Sequence, residues 1–147
     1  MNTYPGFEDR IKASFAKQGA MGLIGARLTR IAAGEVELEL PFKPEHGQQH
    51  GFLHAGILTT ALDSACGYAT YTLFPPEAGI LTIEFKVNLL APGDGELFRM
   101  IGKVRKSGRT ISLAEGEAYA VKNGREKLIA TMTATTMTIT GRDNVVG

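Results

Sequence analysis

Asp63 is the one formal charge between Gly51 and Pro76, in a stretch otherwise made of apolar, small and hydroxyl residues. Ile57, Leu58, Ala61, Leu62, Ala65 and Ala69 recur with a 3.6-residue period, so the spacing predicts a helix from Ala55 to Leu73, stopped by Pro75-Pro76. Asp63 falls off that stripe, beside Thr59, Gly67 and Thr70, none of which is a cation. A carboxylate desolvated without a cationic partner has its pKa raised, which is how a general base or nucleophile is tuned. The same residue can instead bond a neighbouring Thr or a backbone amide, or pair with a Lys or Arg from elsewhere in the chain.

His54 stands at the mouth of this helix. It precedes Asp63 by nine residues, half a turn out of phase, so the two cannot meet on one helix face. A shared site then needs His54 at the helix mouth, or helices from two chains. Ala55 and Gly56 open the helix, where the first amides lack internal partners and can hold an oxygen as it becomes anionic. His46, His50 and His54 have i, i+4, i+8 spacing, but Gly47 and Gly51 interrupt and the stretch reads as loop. No metal site and no cofactor are expected.

A helix almost without charge is not a surface helix and must be covered on nearly all sides. A sheet can cover one side, and a second subunit is the economical cover for the other. The sheet is legible on both flanks. In EVELELPF (35–42), Val36, Leu38, Leu40 and Phe42 alternate with Glu35, Glu37 and Glu39. Residues 25–31 read as a strand before it, with Ala33-Gly34 as the turn. Residues 81–90 alternate Ile83, Phe85, Val87 and Leu89 against Thr82, Glu84, Lys86 and Asn88. Strands at 96–106, 110–122 and 127–139 follow, joined by Ser107-Gly108 and Asn123-Gly124, the latter a strong hairpin signal. Tight turns make these antiparallel. Phe7, Ile11 and Phe15 predict a short amphipathic helix over 5–18, ended by Gly19 and Gly22. One long apolar helix against an antiparallel sheet is an α+β layer architecture.

The 147 residues suit one domain over 1–147, with an N-terminal helix in 1–19 and a tail over 140–147. Apolar content of 44% and a net charge of +1 exclude disorder and give no basic excess for nucleic acid. Cys66 is the only cysteine, which excludes an internal disulfide and suits a cytoplasmic protein. Glu8 and Asp9 occupy the place of a signal peptide's apolar region, and Asp63 interrupts the longest apolar stretch, so no membrane role is expected.

The segment QQHGFLHAGILTTALDSACG (48–67) resembles the signature of hotdog-fold thioesterases of the phenylacetic-acid-degradation (PaaI-like) type, roughly Asn-x-x-Gly-x-x-His-Gly-Gly with an acidic residue nine after the His. Gln48 falls on the Asn position, Gly51 on the first Gly, His54 on the His, Ala55 and Gly56 on the Gly pair, and Asp63 on the acid. Thr82 falls where many members have Ser or Thr. The likeness covers about residues 20–138. It implies a curved antiparallel sheet wrapped around the central helix, and homodimers, often paired into tetramers, with each site shared between two chains. It implies hydrolysis of an acyl-CoA thioester to free acid and CoA. Asp63 would be nucleophile or general base, the Ala55 amide would polarise the thioester carbonyl, and Gln48, His54 and Thr82 would place the reactants. Ala55 keeps the amide but adds a Cβ, which clashes wherever φ is positive.

Lys103, Arg105, Lys106 and Arg109 surround the Ser107-Gly108 turn, and cations with turn amides suit the phosphates of CoA. Phe52, Leu53, Tyr68, Tyr71, Phe74 and Leu81 are candidates for an apolar acyl slot or for core. Two other functions compete on the same fold: a non-catalytic acyl-CoA binding module, and an enoyl-CoA hydratase or dehydratase, whose Pro-containing signature around the His is not seen here.

Overall fold

The computed structural model describes residues 1–147. Two helices lead the chain, α1 (Phe7–Ala16) and α2 (Gly19–Ile24). Ile11 of α1 is buried, as its spacing predicts. Gly19 and Gly22, expected to end a helix, instead lie within the short α2, whose Met21 and Ile24 are buried. Docking those two side chains offsets the helix penalty of glycine, about 1 kcal/mol per residue.

Six strands form one antiparallel sheet: β1 (Arg27–Ala32), β2 (Glu35–Pro41), β3 (Gly79–Leu89), β4 (Leu97–Ser107), β5 (Ile111–Lys122) and β6 (Arg125–Ile139). Their order is β1-β2-β4-β5-β6-β3. Val36, Leu38 and Leu40 of β2 are fully buried. Glu37 and Glu39 on the opposite face pair with Arg99 at 2.8 Å and Arg27 at 3.2 Å. Asn123 and Gly124, with φ of 51° and 73°, make the β5–β6 turn their dipeptide predicts.

The long helix α3 (Ala55–Tyr71) lies against the inner face of this sheet, in the hotdog arrangement that the resemblance implies. Its closest approach is over two glycines. Gly102 of β4 and Gly116 of β5 are directly opposite partners, and the backbone of Ala65 and Cys66 sits on them. A Cβ built on Gly102 would lie 2.7 Å from Cys66 N and closer still to the Ala65 carbonyl oxygen. Only glycine lets helix and sheet come this near.

The sheet covers one side of α3 and α1 covers part of another, with Phe15 against the Tyr68 ring. Ala55 and Gly56 stay exposed, and Thr59, Thr60, Asp63 and Gly67 half-buried. Beside this open side runs β3, which pairs only with β6 and leaves one edge free. Leu81, Ile83, Phe85, Leu89 and Leu90 are 46–58% exposed there. No helix is long and apolar enough to cross a membrane.

The alternation in 81–90 does not survive intact. The β3–β6 register shifts between Thr82 and Glu84, so Ile83 is an extra, bulged residue. Thr82 opposes the buried Thr136, while Phe85 opposes the buried Ala134 and Val87 opposes Met132. The bulge therefore puts Thr82 on the same inner face as Phe85 and Val87, where a strict period of two would put it outside.

Candidate active site

Asp63 lies at the midpoint of α3, on the side turned away from the glycine pair. Its carboxylate Oδ1 accepts a hydrogen bond from Thr82 Oγ1 at 3.0 Å, a contact that exists because of the β3 bulge. No Lys, Arg or His lies within ion-pair distance of it. Of the readings open at the start, a threonine bond without a cation is the one observed. Burial pushes the Asp63 carboxyl above its ordinary value of 3.8, and the Thr82 bond opposes this only in part. Cys66, one turn further on, is no rival nucleophile. Its thiol is buried and pushed up to about 12, first by desolvation and then by the Asp63 charge.

The raised carboxyl has a consequence for stability. A carboxyl with a higher pKa folded than unfolded makes the native state bind more protons, so stability falls as pH rises from the unfolded value through the folded one. Asp63→Asn keeps an oxygen for Thr82 and removes the charge. Its Tm is expected to match wild type near pH 3, exceed it increasingly as pH rises above 3.8, and hold a constant lead beyond the raised pKa. Thermal melts of both proteins at several pH values measure this. A constant difference at all pH values would contradict it.

Asp63 faces a cleft of about 340 Å³ between α1, α3 and β3, whose walls include Gln18, Tyr68, Ile80 and Thr82. Gln48, His54 and Ala55 do not reach it. They line a separate cleft of about 610 Å³ with Phe52, Leu89 and Leu90. Within one chain, then, the expected site residues fall into two groups, at the two ends of β3.

In the second group the side chains are partly occupied with building the loop. Gln48 Oε1 accepts from His50 N at 2.6 Å and Phe52 N at 3.3 Å, leaving its amide nitrogen free. His54 is the N-cap of α3, its Nδ1 accepting from Gly56 N at 2.9 Å. That bond corrects the expectation for Gly56: its amide is already used by His54 and is not free for a substrate oxygen. The Ala55 amide has no partner in the chain and is exposed at the positive end of α3. Asn123 is the only non-glycine residue with positive φ, so the Cβ of Ala55 carries no conformational penalty.

The basic hairpin is also divided. Ser107, Gly108 and Arg109 line a third cleft, of about 620 Å³, with Phe74 and Arg142 at the C-terminal end of α3. Lys103 lies in another depression beside Glu115 and Glu117, and Arg105 faces Glu115 at 3.8 Å. The four cations are not gathered in one cleft, although the register shift between Val104 and Lys106 sets Lys106 opposite Leu113, on the same sheet face as Lys103. Of the candidate slot residues, Tyr68 reaches the Asp63 cleft, Phe52 and Leu53 the second cleft, Tyr71 and Phe74 the core, and Leu81 the open edge. The segment after Ile139 is more than a loose tail: Val146 and Gly147 border the Asp63 cleft, and Lys17 Nζ bonds the Gly147 oxygen at 2.8 Å.

Gln18, Ser14 and Ser64 beside Asp63 carry no signal in the sequence. The N-terminal helix reads there as a cap on the core, and only its docking on α3 brings Gln18 within 3.0 Å of Tyr68 Oη.

Residues 50–127 match the family model of the thioesterase superfamily. A protein provisionally named an esterase in Halobacterium salinarum is 31% identical over 102 residues, which cover 66% of this chain and 67% of that one. Among solved structures, a thioesterase family protein from Silicibacter pomeroyi is 50% identical with a TM-score of 0.91, covering 92% of this chain and 100% of that one. The PaaI protein of the E. coli phenylacetic acid degradation operon, 16% identical, superposes with a TM-score of 0.82 over 95% of this chain and 98% of that one, which is a likeness of fold.

Proposed function

Since this chain belongs to the thioesterase superfamily and is a thioester hydrolase, we propose that it cleaves acyl-CoA at a site assembled from two copies of itself. Asp63 and Thr82 come from one protomer, and Gln48, His54 and Ala55 from its partner. One observation carries this reading: the two clefts lie at opposite ends of an unpaired, apolar edge strand. A two-fold axis near Phe85 that pairs β3 antiparallel with its copy puts the Thr82 end of one strand beside the Leu89 end of the other. Both clefts then join, twice per dimer. The same pairing covers the open side of α3 and the exposed side chains of β3.

In the joined site the thioester carbonyl oxygen accepts from the Ala55 amide at the helix N-terminus, which stabilises the negative charge that grows there. Asp63 either removes the proton from the attacking water or attacks the acyl carbon itself, to be released by water in a second step. The tetrahedral intermediate collapses with loss of the CoA thiolate, which takes up the proton. Thr82 holds the carboxylate in place. His54, with Nδ1 used as an acceptor, has Nε2 left to carry a proton, and with the Gln48 amide it orients substrate or water. The Ser107–Arg109 turn is the proposed place for the CoA phosphates.

Assay of acyl-CoAs with a thiol reagent tests the reaction. Mixing tests the sharing: Asp63→Asn and Gln48→Ala proteins, each weakened alone, should regain turnover when unfolded together and refolded, because a mixed dimer holds one intact site. No recovery would overturn the shared site. Phe85→Lys places a charge at the centre of the proposed strand pair. It is expected to sediment as a monomer and to lose at least about tenfold in kcat/KM. An unchanged oligomer with full activity would move the interface elsewhere.

A further inference from the structure

We infer that Thr136 and Thr70 are positioning residues for the Asp63–Thr82 pair: the hydroxyl bond between them sets how far α3 stands from β3, and so whether Thr82 reaches the carboxylate. The effect on turnover rests on the reading that the thioester is cleaved at Asp63.

Two side-chain hydrogen bonds join α3 to the strands of the sheet. Thr82 Oγ1 donates to Asp63 Oδ1 at 3.0 Å, and Thr136 Oγ1 donates to Thr70 Oγ1 at 3.0 Å. Both end on one cross-strand pair, since Thr82 of β3 and Thr136 of β6 oppose each other in register. On the helix, Asp63 and Thr70 are two turns apart and share a face. The four residues therefore close a ring through α3, β6 and β3.

Hydrogen counting fixes the direction of the second bond. Thr70 Oγ1 spends its only hydrogen on the Gly67 oxygen at 2.8 Å, so Thr136 is the donor. Both threonines are fully buried. Ser112, opposite Thr136 in β5, is buried too, but its Oγ makes no hydrogen bond and is no second partner.

Apolar packing holds α3 tightly over Gly102 and Gly116 but loosely here. Between Asp63 and Thr70 the helix presents Gly67, and a Cβ built there would meet only Ile80 Cδ1, at 3.8 Å. Thr82 also sits beside the bulge of an edge strand, the least constrained part of the sheet. β6 is paired on both sides. Thr136 thus ties the helix to a firm strand at the level where Thr82 reaches across from a soft one.

The Thr82 bond opposes the burial that raises the Asp63 carboxyl, so lengthening it lets the carboxyl rise further. Few other charges face that carboxyl. Lys17 and Tyr68 share its cleft, with Lys17 Nζ on the Gly147 oxygen and Tyr68 Oη bonded to Gln18 and Ser14. Cys66 is on the same helix. Glu84 of β3 accepts from Thr135, the neighbour of Thr136 on the opposite sheet face, and β6 carries no titratable group after Lys127. In the joined site His54 of the second protomer is a further titratable group, so the Asp63 carboxyl is followed directly.

The experiment is a carbon-13 NMR titration of the Asp63 carboxyl, assigned by its loss in Asp63→Asn, beside kcat and KM. Thr136→Val keeps the shape and removes the donor. It is expected to move the Asp63 midpoint to higher pH, in the direction of Thr82→Val and no further. Its kcat should fall about three- to tenfold, the worth of one hydrogen bond, with KM within about twofold. Thr136→Ser restores the donor and should titrate as wild type. Thr70→Val breaks the link from the helix side and should repeat the shift, which keeps the test open if Val at 136 prevents folding. In a Thr82→Val background, Thr136→Val should move the midpoint no further. An unmoved midpoint in the folded Val variants, even with a lower Tm, overturns the inference, as does a full shift without Thr82. Hydrolysis that survives Asp63→Asn would instead remove the reading of the reaction, while the titration still decides whether the link positions Thr82.

Discussion

Asp63→Asn and Asp63→Ala are expected to lose acyl-CoA hydrolysis by about 10²–10⁴-fold in kcat, the range for removing a positioned base or nucleophile. The loss should fall on kcat more than on KM, because the carboxylate acts on the reacting atoms rather than on the CoA moiety. Asn preserves the Thr82 contact and the shape of the residue, so its loss isolates the charge. In wild type the acid limb of the kcat profile should have its midpoint above 3.8, since burial raises the carboxyl and the base must be ionised to work. Turnover retained in both variants would remove Asp63 from the mechanism. An acid limb at or below the ordinary aspartate value would mean that its desolvation has no part in the reaction.

Gly102→Ala is expected to lower stability by about 1–3 kcal/mol, the usual cost of forcing extra volume into a packed core. For a chain of this size that is a Tm lower by about 4–12 °C. The added Cβ meets helix backbone, at 2.7 Å from Cys66 N, so no side chain can rotate away to relieve it. Gly116→Ala meets Cys66 Sγ at 2.7 Å and Leu62 Cδ1 at 2.9 Å, atoms that can move, and should cost less. Gly22→Ala is the control of opposite sign. It lies inside α2 with nothing within 4 Å of its added Cβ, so the better helix former should stabilise by about 0.5–1 kcal/mol. Equal Tm values for Gly102→Ala and wild type would show that the helix does not rest on the glycine pair.

Much of the fold is legible in the residues because each element has a local cause. The alternation of Val36, Leu38 and Leu40, the apolar period from Ile57 to Ala69, and the Asn123-Gly124 turn each point to one structure, and each is found. The elements misjudged are those where packing overrides local preference. Two glycines sit in α2 because Met21 and Ile24 dock. Thr82 faces inward because Ile83 bulges.

The site divides in the same way. Asp63 is marked in the sequence because a single charge in an apolar helix has a desolvation cost visible from composition and period alone. The out-of-phase spacing of His54 and Asp63 already indicates that one helix cannot hold both groups. What contacts them is decided by tertiary structure: the Thr82 bond, the capture of the Gly56 amide by His54, the split of the basic hairpin, and the arrival of Gln18 beside Tyr68. Periodicity assigns a residue to a face of its own element. Which residue of another element lies across from it depends on register and docking, and a single bulged residue such as Ile83 reverses that outcome without altering the pattern from which the strand is read.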